Sequence, residues 1–234
     1  MCYHAIIDAD ILVYRIGFAT NEETEEMALK TMATFLEDMI MFDLPYCSTW
    51  TLHLTGKRNF RDEIAVTAPY KGNRTGNAKP THYKAIRDYL AWSWDATIWE
   101  GFEADDAVAI EATELGERGV IVSLDKDLDQ VVGWHFNFAK GLLYYIDQET
   151  ADFNFYKQFL TGDRVDNIKG VHGIGEKRAT ALLEGKTVEE MWGIIVDKLG
   201  YDRAIENGHL LYMLRSVGDS FKPPVADEST ISKS

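Results

Sequence analysis

Cysteine is nearly absent: only Cys2 and Cys47 occur among the 234 residues. Two cysteines at that separation supply neither a disulfide framework nor a zinc-binding pattern. Long hydrophobic runs are missing too. No stretch approaches the length of a signal-peptide core or a membrane span, so the expectation is a soluble protein of a reducing cytoplasm with no membrane partner. Positive charge is also in short supply. With 24 Lys and Arg against 38 Asp and Glu, the formal net charge is -14, which excludes a protein that coats nucleic acid through bulk attraction. Carboxylates that chelate divalent cations invert the local field, however, so the positions of the charges matter more than their sum.

What is present is a chain with 46% hydrophobic residues, long enough for one large core or a main domain with a smaller appendage. The apolar opening around Ala5-Ile6-Ile7, extending toward Val13, reads as a buried strand ending in Asp8 and Asp10. A helix is expected from about Glu23 to Phe42, with Met32, Phe35, Leu36 and Met39 at helical spacing and Glu22 to Glu26 at its positive end. Trp50 to Leu54 reads as a second strand. Between Pro69 and Pro80 the composition turns to Lys, Arg, Gly and Asn, the signature of an exposed or poorly ordered basic loop. Helix resumes at Tyr83 to Trp94, followed by a strand near Ala96 to Trp99, a helix from about Glu103 to Gly116 and a strand at Val120 to Ser123. Alternation of this kind implies an α/β fold with a mostly parallel central sheet flanked by helices. The expected division is an α/β core over 1–150, a helical region over 151–222 and a disordered tail over 223–234. Helices are expected at Asp152 to Leu160, Glu176 to Leu183, Val188 to Leu199 and Arg203 to Leu214. The aromatic residues Trp92, Trp94 and Trp99 are expected to pack in the core.

Ligands of open α/β sheets bind outside the carboxyl ends of the strands, so acidic residues at several strand ends converge although distant in sequence. Asp8 follows the first strand. Glu103, Asp105 and Asp106 follow the strand ending near Glu100, Asp125 and Asp127 follow Val120 to Ser123, and Asp163 and Asp166 open the helical region. Taken singly, each group has an ordinary role as a helix start or a turn. Gathered in one cleft they repel one another, and divalent cations resolve that conflict more readily than protonation. Oxygen-only ligands suit Mg2+ or Mn2+, and two such ions about 4 Å apart clamp an in-line displacement at phosphorus.

The ordered motifs resemble the 5'-nucleases, the family that includes the exonuclease domain of bacterial DNA polymerase I, bacteriophage exonucleases and flap endonucleases. The residues carrying the likeness are Ile7-Asp8, Phe60-Arg61-Asp62-Glu63, Tyr70-Lys71-Gly72-Asn73-Arg74, Glu103-Ala104-Asp105-Asp106, Ser123-Leu124-Asp125-Lys126-Asp127 and Thr161 through Lys177. The resemblance implies a PIN-like 5'-nuclease fold, with a helix-three-turn-helix in the C-terminal helical region. It implies that Asp8, Glu103 and Asp105 hold a first metal. Asp125, Asp127, Asp163 and Asp166 then serve a second, directly or through water, with Asp106 close to both. Lys71 and Arg74 resemble the basic residues that guide the 5' strand and stabilise charge at the scissile phosphate. Gly173-Ile174-Gly175 resembles the turn that grips duplex DNA through backbone amides around a K+ ion, with Lys177 and Arg178 adding positive charge.

The implied activity is a magnesium-dependent 5'-to-3' exonuclease with flap endonuclease activity. Its substrate would be duplex DNA with a free 5' end, nick or flap, extending to RNA-DNA hybrids. The implied enzyme is a monomer of the cytoplasm, the host's if the gene is a phage's. Two departures stand out: Leu54-Thr55-Gly56 replaces the aspartate that the family commonly carries at the end of the second strand, and 69–80 is short for a complete helical arch. His172 reads as a turn residue near DNA. Two rival readings remain: a phosphatase of the haloacid dehalogenase type with Asp8 as nucleophile, and a DNA-binding protein without catalysis.

Overall fold

Ala5, Ile6 and Ile7 are completely buried, so the first strand is covered on both faces, as a central strand of a parallel sheet must be. The computed structural model describes residues 3–74, 76 and 78–224. In chain order the elements are β1 (Tyr3–Asp8), α1 (Ala9–Ala19), α2 (Glu25–Asp38), β2 (Cys47–Asn59), α3 (Arg61–Ile64), α4 (Tyr83–Ser93), β3 (Thr97–Gly101), α5 (Ala104–Leu115) and β4 (Gly119–Val122). They continue with β5 (Gly133–Asn137), β6 (Leu142–Ile146), α6 (Gln148–Thr161), β7 (Gly162–Asp163), β8 (Ile168–Lys169), α7 (Glu176–Leu183), α8 (Val188–Leu199) and α9 (Tyr201–Leu211).

These elements form two units. The first comprises the residues up to Phe60, then Gly76–Gln148 and Met213–Gly218; the second comprises Arg61–Thr75, Glu149–Tyr212 and the residues from Asp219 onward.

The first unit is built on a sheet of order β3-β2-β1-β4-β5-β6. β1, β2, β3, β4 and β5 pair in parallel, and β6 returns antiparallel to β5. Asp8 ends β1 and caps α1 by accepting from the Ile11 N–H at 3.4 Å. The segment Ala9–Ala19, part of the apolar opening stretch and given no element of its own by the sequence pattern, is helix: Ala9, Leu12, Val13 and Ile16 bury one helical face. Thr24 caps α2 through the Met27 N–H. That helix buries Ala28, Met32 and Leu36 and passes into a wider turn at Met39–Asp43 instead of running unbroken to Phe42. One core packs Leu12, Met32, Leu36, Leu52 and Leu90 around β1 and β2, and a second places Val108, Ile121, Leu128 and Met213 around Ile6.

The tryptophans divide. Trp94 packs on Trp50 and Trp99 stacks on Phe102. Trp92 is 87% exposed, contrary to the expected core position, because it lies on the α4 face opposite Ile86 and Leu90. Cys47 is a buried free thiol, whereas Cys2 lies outside the described residues.

In the second unit, α6 to α9 enclose Phe155, Phe159, Leu183, Trp192 and Ile195, with Phe221 among the rings. Arg61 is 1% exposed, and its guanidinium donates to the Leu210 and Tyr212 carbonyls, satisfying the carboxyl end of α9. That helix stops at Leu211 rather than Leu214, since Tyr212 turns to extended backbone. Residues 225–234 of the expected tail, and residues 75 and 77 of the basic loop, lie outside the described residues. Among the described residues no helix is long and apolar enough to cross a membrane.

Candidate active site

In the first unit the strand order reverses its direction of winding between β1 and β4, the place where α/β sheets leave a crevice at the carboxyl ends of their strands. Asp8 closes β1 there and Ser123 follows β4. Ser123 Oγ donates to Asp8 Oδ2 at 2.9 Å, and accepts from the Asp125 N–H at 3.0 Å. Asp125 Oδ1 accepts in turn from the Asp127 N–H at 2.9 Å. One hydroxyl thus links the end of β1 to the turn that carries Asp125 and Asp127. The sequence pattern placed Ser123 at the end of a strand and at the head of an acidic motif, but gave it no role of its own.

Asp8 is 6% exposed. Burial is the main cause that pushes its pKa from 3.8 up to about 7; the charges of Asp10 and Asp125 add to the rise, and the Ser123 and Ile11 hydrogen bonds oppose it. Such a carboxyl is expensive to ionise alone and cheap to ionise beside a cation. Among the described residues no group of three or more His, Cys, Asp or Glu side chains is gathered into a ready metal cage. The donor set nevertheless suits a hard cation that keeps several waters: it is all oxygen, and its buried member faces like charge.

Glu103 caps α5, whose first turn carries Asp105 and Asp106. Glu103 is buried and Asp105 half-buried. Asp106 is fully buried; it accepts from the Glu103 N–H at 3.2 Å through one oxygen and from the Leu214 N–H at 3.2 Å through the other. Both of its oxygens thereby serve backbone, which fixes the start of α5.

Thr55 lies in β2 where its regular pairing with β3 breaks, and its hydroxyl accepts from the Ala104 N–H at 2.9 Å. A neutral cap of α5 therefore stands where the resemblance leads one to look for an aspartate. Asp10 also finds its role: Oδ1 pairs with Arg87 at 2.6 Å and Oδ2 accepts from the Thr55 N–H at 2.9 Å, joining α1, α4 and β2.

The second unit carries Asp163, Asp166 and the basic residues. Asp163 Oδ1 accepts from the Val165 and Asp166 N–H groups at 2.6 and 3.0 Å. Asp166 Oδ2 accepts from Tyr70 at 2.7 Å, and Oδ1 pairs with Arg74 at 2.5 Å, with Lys71 Nζ 3.8 Å away. Residues 69–74 are consequently tied down rather than poorly ordered, while Pro69, Asn73 and Arg74 are exposed as expected. The Lys71 N–H donates to the Asp166 carbonyl, and Asn167 Nδ2 to the Pro69 carbonyl.

Farther along, Gly173 adopts φ +77°, a conformation that favours glycine, and Gly175 precedes α7. Ile174 is buried beneath this turn, while His172, Lys177 and Arg178 are exposed.

A doubly wound sheet with acidic residues at the ends of β1 and β4 and at the start of α5 defines an α/β nuclease. The family model for the 5'-3' exonuclease, N-terminal resolvase-like domain, matches residues 4–159, and the chain belongs to that family of nuclease hydrolases. Membership sets aside the phosphatase alternative. The chain is 34% identical over 145 residues to DNA polymerase I of Pseudomonas aeruginosa, a match covering 54% of this chain and 15% of the relative. It is 29% identical over 201 residues to the 5'-3' exonuclease of Buchnera aphidicola subsp. Schizaphis graminum, covering 76% of this chain and 69% of the relative. In structure it resembles the bacteriophage T5 D15 flap endonuclease solved in a complex with DNA and metal ions. That likeness has a TM-score of 0.68 and 18% identity, covers 91% and 89% of the two chains, and speaks for the fold alone. The chain spans only 15–16% of the length of the DNA polymerase I relatives from Pseudomonas aeruginosa and Chloroflexus aurantiacus.

Proposed function

We propose that the chain is a Mg2+- or Mn2+-dependent 5'-to-3' exonuclease with flap endonuclease activity, hydrolysing DNA phosphodiesters to leave 5'-phosphates. The observation that carries this reading is Asp8, buried at the sheet's switch point, held by Ser123 and facing Asp10 and Asp125. Bound divalent cations would supply Lewis acidity, easing deprotonation of the attacking water and neutralising charge that develops on the phosphate.

The chain's own residues have distinct tasks in this proposal. Asp8, Glu103 and Asp105 hold one cation, and Asp125 and Asp127 serve another, directly or through water; in the second unit Asp163 and Asp166 are further oxygen ligands. Asp106 stands close to both cations and also fixes the start of α5; each of its oxygens accepts one backbone N–H, which leaves lone pairs for a cation or its water. Lys71 and Arg74, pre-positioned by Asp166, present positive charge to the 5' strand. The 173–175 turn and the start of α7, with Lys177 and Arg178, bind duplex backbone without reading sequence, with a K+ ion organising Gly173, Ile174 and Gly175. RNA-primed duplexes are further substrates, and the enzyme acts as a monomer.

Incubation of the purified chain with 5'-labelled flap, nicked, blunt and RNA-primed duplexes tests the proposal. Short 5'-phosphorylated products with Mg2+, absent with chelator, are expected. Intact DNA under both conditions contradicts it.

A further inference from the structure

Beneath α5, one carboxylate draws together side chains from three strands. Glu111 Oε2 accepts from Thr51 Oγ1 at 2.7 Å and lies 2.6 Å from His53 Nε2; Oε1 is 3.2 Å from His4 Nε2. His4 belongs to β1, Thr51 and His53 to β2. From β3, Trp99 Nε1 is 2.9 Å from His53 Nδ1. An indole N–H only donates, so Nδ1 accepts, the ring proton sits on Nε2, and Nε2 donates to Glu111. His53 is 4% exposed, which leaves this tautomer little competition from water.

Cohesion alone does not account for such a network. Glu111 is only half-buried, its side chain 21% exposed; apolar residues of similar volume would hold the helix on the sheet at least as well as such a charge with its partners, whereas a directional polar group specifies register. A second anchor lies at the start of the same helix, where Thr55 accepts from the Ala104 N–H. From Ala104 to Glu111 the helix rises about 10 Å, and the strand from Thr55 back to His53 and Thr51 spans about 7 to 13 Å. The two lengths agree, so both anchors are met at one axial setting of α5 on β2. A slip of one residue would move the helix by about 1.5 Å and turn it by about 100°, carrying Glu103 and Asp105 away from the strand ends.

We propose that Glu111 and His53 are positioning residues: together with Thr55 they set the register of α5, and through it the placement of Glu103 and Asp105. The inference rests on the nuclease reading. Its test uses the full chain, with Mn2+ affinity measured by calorimetry, kcat and KM on a flap duplex, and the Trp99 indole N–H resonance as a report on His53. Glu111→Ala is expected to weaken Mn2+ binding and lower kcat by about tenfold each, to displace the Trp99 resonance and to leave KM for DNA within about twofold, since no DNA-binding group moves. Glu111→Gln, whose amide oxygen still accepts from His53, is expected to recover most of both losses.

A folded Glu111→Ala with a displaced Trp99 resonance but wild-type Mn2+ affinity and kcat overturns the inference. So does a Glu111→Gln as impaired as the alanine variant. If Glu111→Ala does not fold, Thr51→Val, which deletes one bond to Glu111, replaces it: a smaller loss of both quantities supports the inference and no loss overturns it. A wild-type chain that binds Mn2+ without cutting DNA sinks the nuclease reading instead, and the Mn2+ affinities of the variants then decide the positioning role.

Discussion

Replacing Asp8 with asparagine removes a charge without removing a shape. The amide oxygen at position 8 can still accept from the Ile11 N–H, and the amide nitrogen can donate to Ser123 Oγ in place of the bond that the carboxylate accepted from it, so both partners are kept with one bond reversed. What disappears is ionisation at a site where burial, Asp10 and Asp125 push the pKa from 3.8 to about 7. The sign follows from linkage. The folded-state value lies above the unfolded one, so the stability tied to the proton is fully present below pH 4 and is lost as pH rises through 7. A rise of about three pKa units corresponds to about 4 kcal/mol, an upper bound because the interior relaxes around a charge. In chelator, Asp8→Asn should therefore match wild type near pH 4 and exceed it progressively up to pH 8. Half of the upper bound would raise the unfolding midpoint by about 4–8 °C in a chain of this size. Mg2+ should stabilise wild type and leave Asp8→Asn nearly unchanged. Thermal unfolding across this pH range, with and without Mg2+, provides the assay. A wild type as stable as the variant at pH 8 in chelator would refute the claim that Asp8 sits in a site built for a cation.

Three further outcomes are expected. Asp127→Asn and Asp163→Asn should each lower cleavage by about 10²–10³-fold while DNA binding, followed by fluorescence anisotropy, persists; wild-type rates would remove those residues from the mechanism. Lys71→Ala should slow single-turnover cleavage and leave the Mg2+ dependence in place, and an unaltered rate on every substrate would contradict its role at the phosphate. Gly208→Ala should destabilise the chain by about 1–3 kcal/mol in urea unfolding, because a Cβ there would stand 2.2 Å from the Phe221 ring; an unchanged midpoint would show that the ring yields without cost.

Much of the first unit was legible because its strands contain apolar runs, and carboxylates follow β1, β3 and β4. β1, β2, β3 and β4 fall where hydrophobicity placed them, and the carboxylates of β1, β4 and α5 follow directly. Helix α1 was not legible as a separate element: Ala9 through Ala19 is apolar almost throughout, so its helical face is hidden, and only the Asp8 cap divides it from the strand. The β5–β6 hairpin was missed because β6 is an edge strand, with Leu142, Leu143 and Tyr145 exposed instead of alternating with polar residues. The basic segment at 69–74 looked loose because its order comes from Asp166 and Asn167, distant in sequence.

The same distinction governs the site. Acidic residues at strand ends announce themselves by position, but their supports, Ser123, Thr55 and Arg87, depend on strand register and helix packing, which one sequence does not display. Thr55 is instructive: the departure from the family pattern was visible, while its use as a cap for α5 required the fold.

Diffraction from crystals grown with Mn2+, recorded where manganese scatters anomalously, tests the central claim most directly. An anomalous peak at coordination distance from an Asp8 carboxylate oxygen, lost in Asp8→Asn crystals, is the expected result. Crystals saturated with Mn2+ that show no peak at Asp8 would contradict the account.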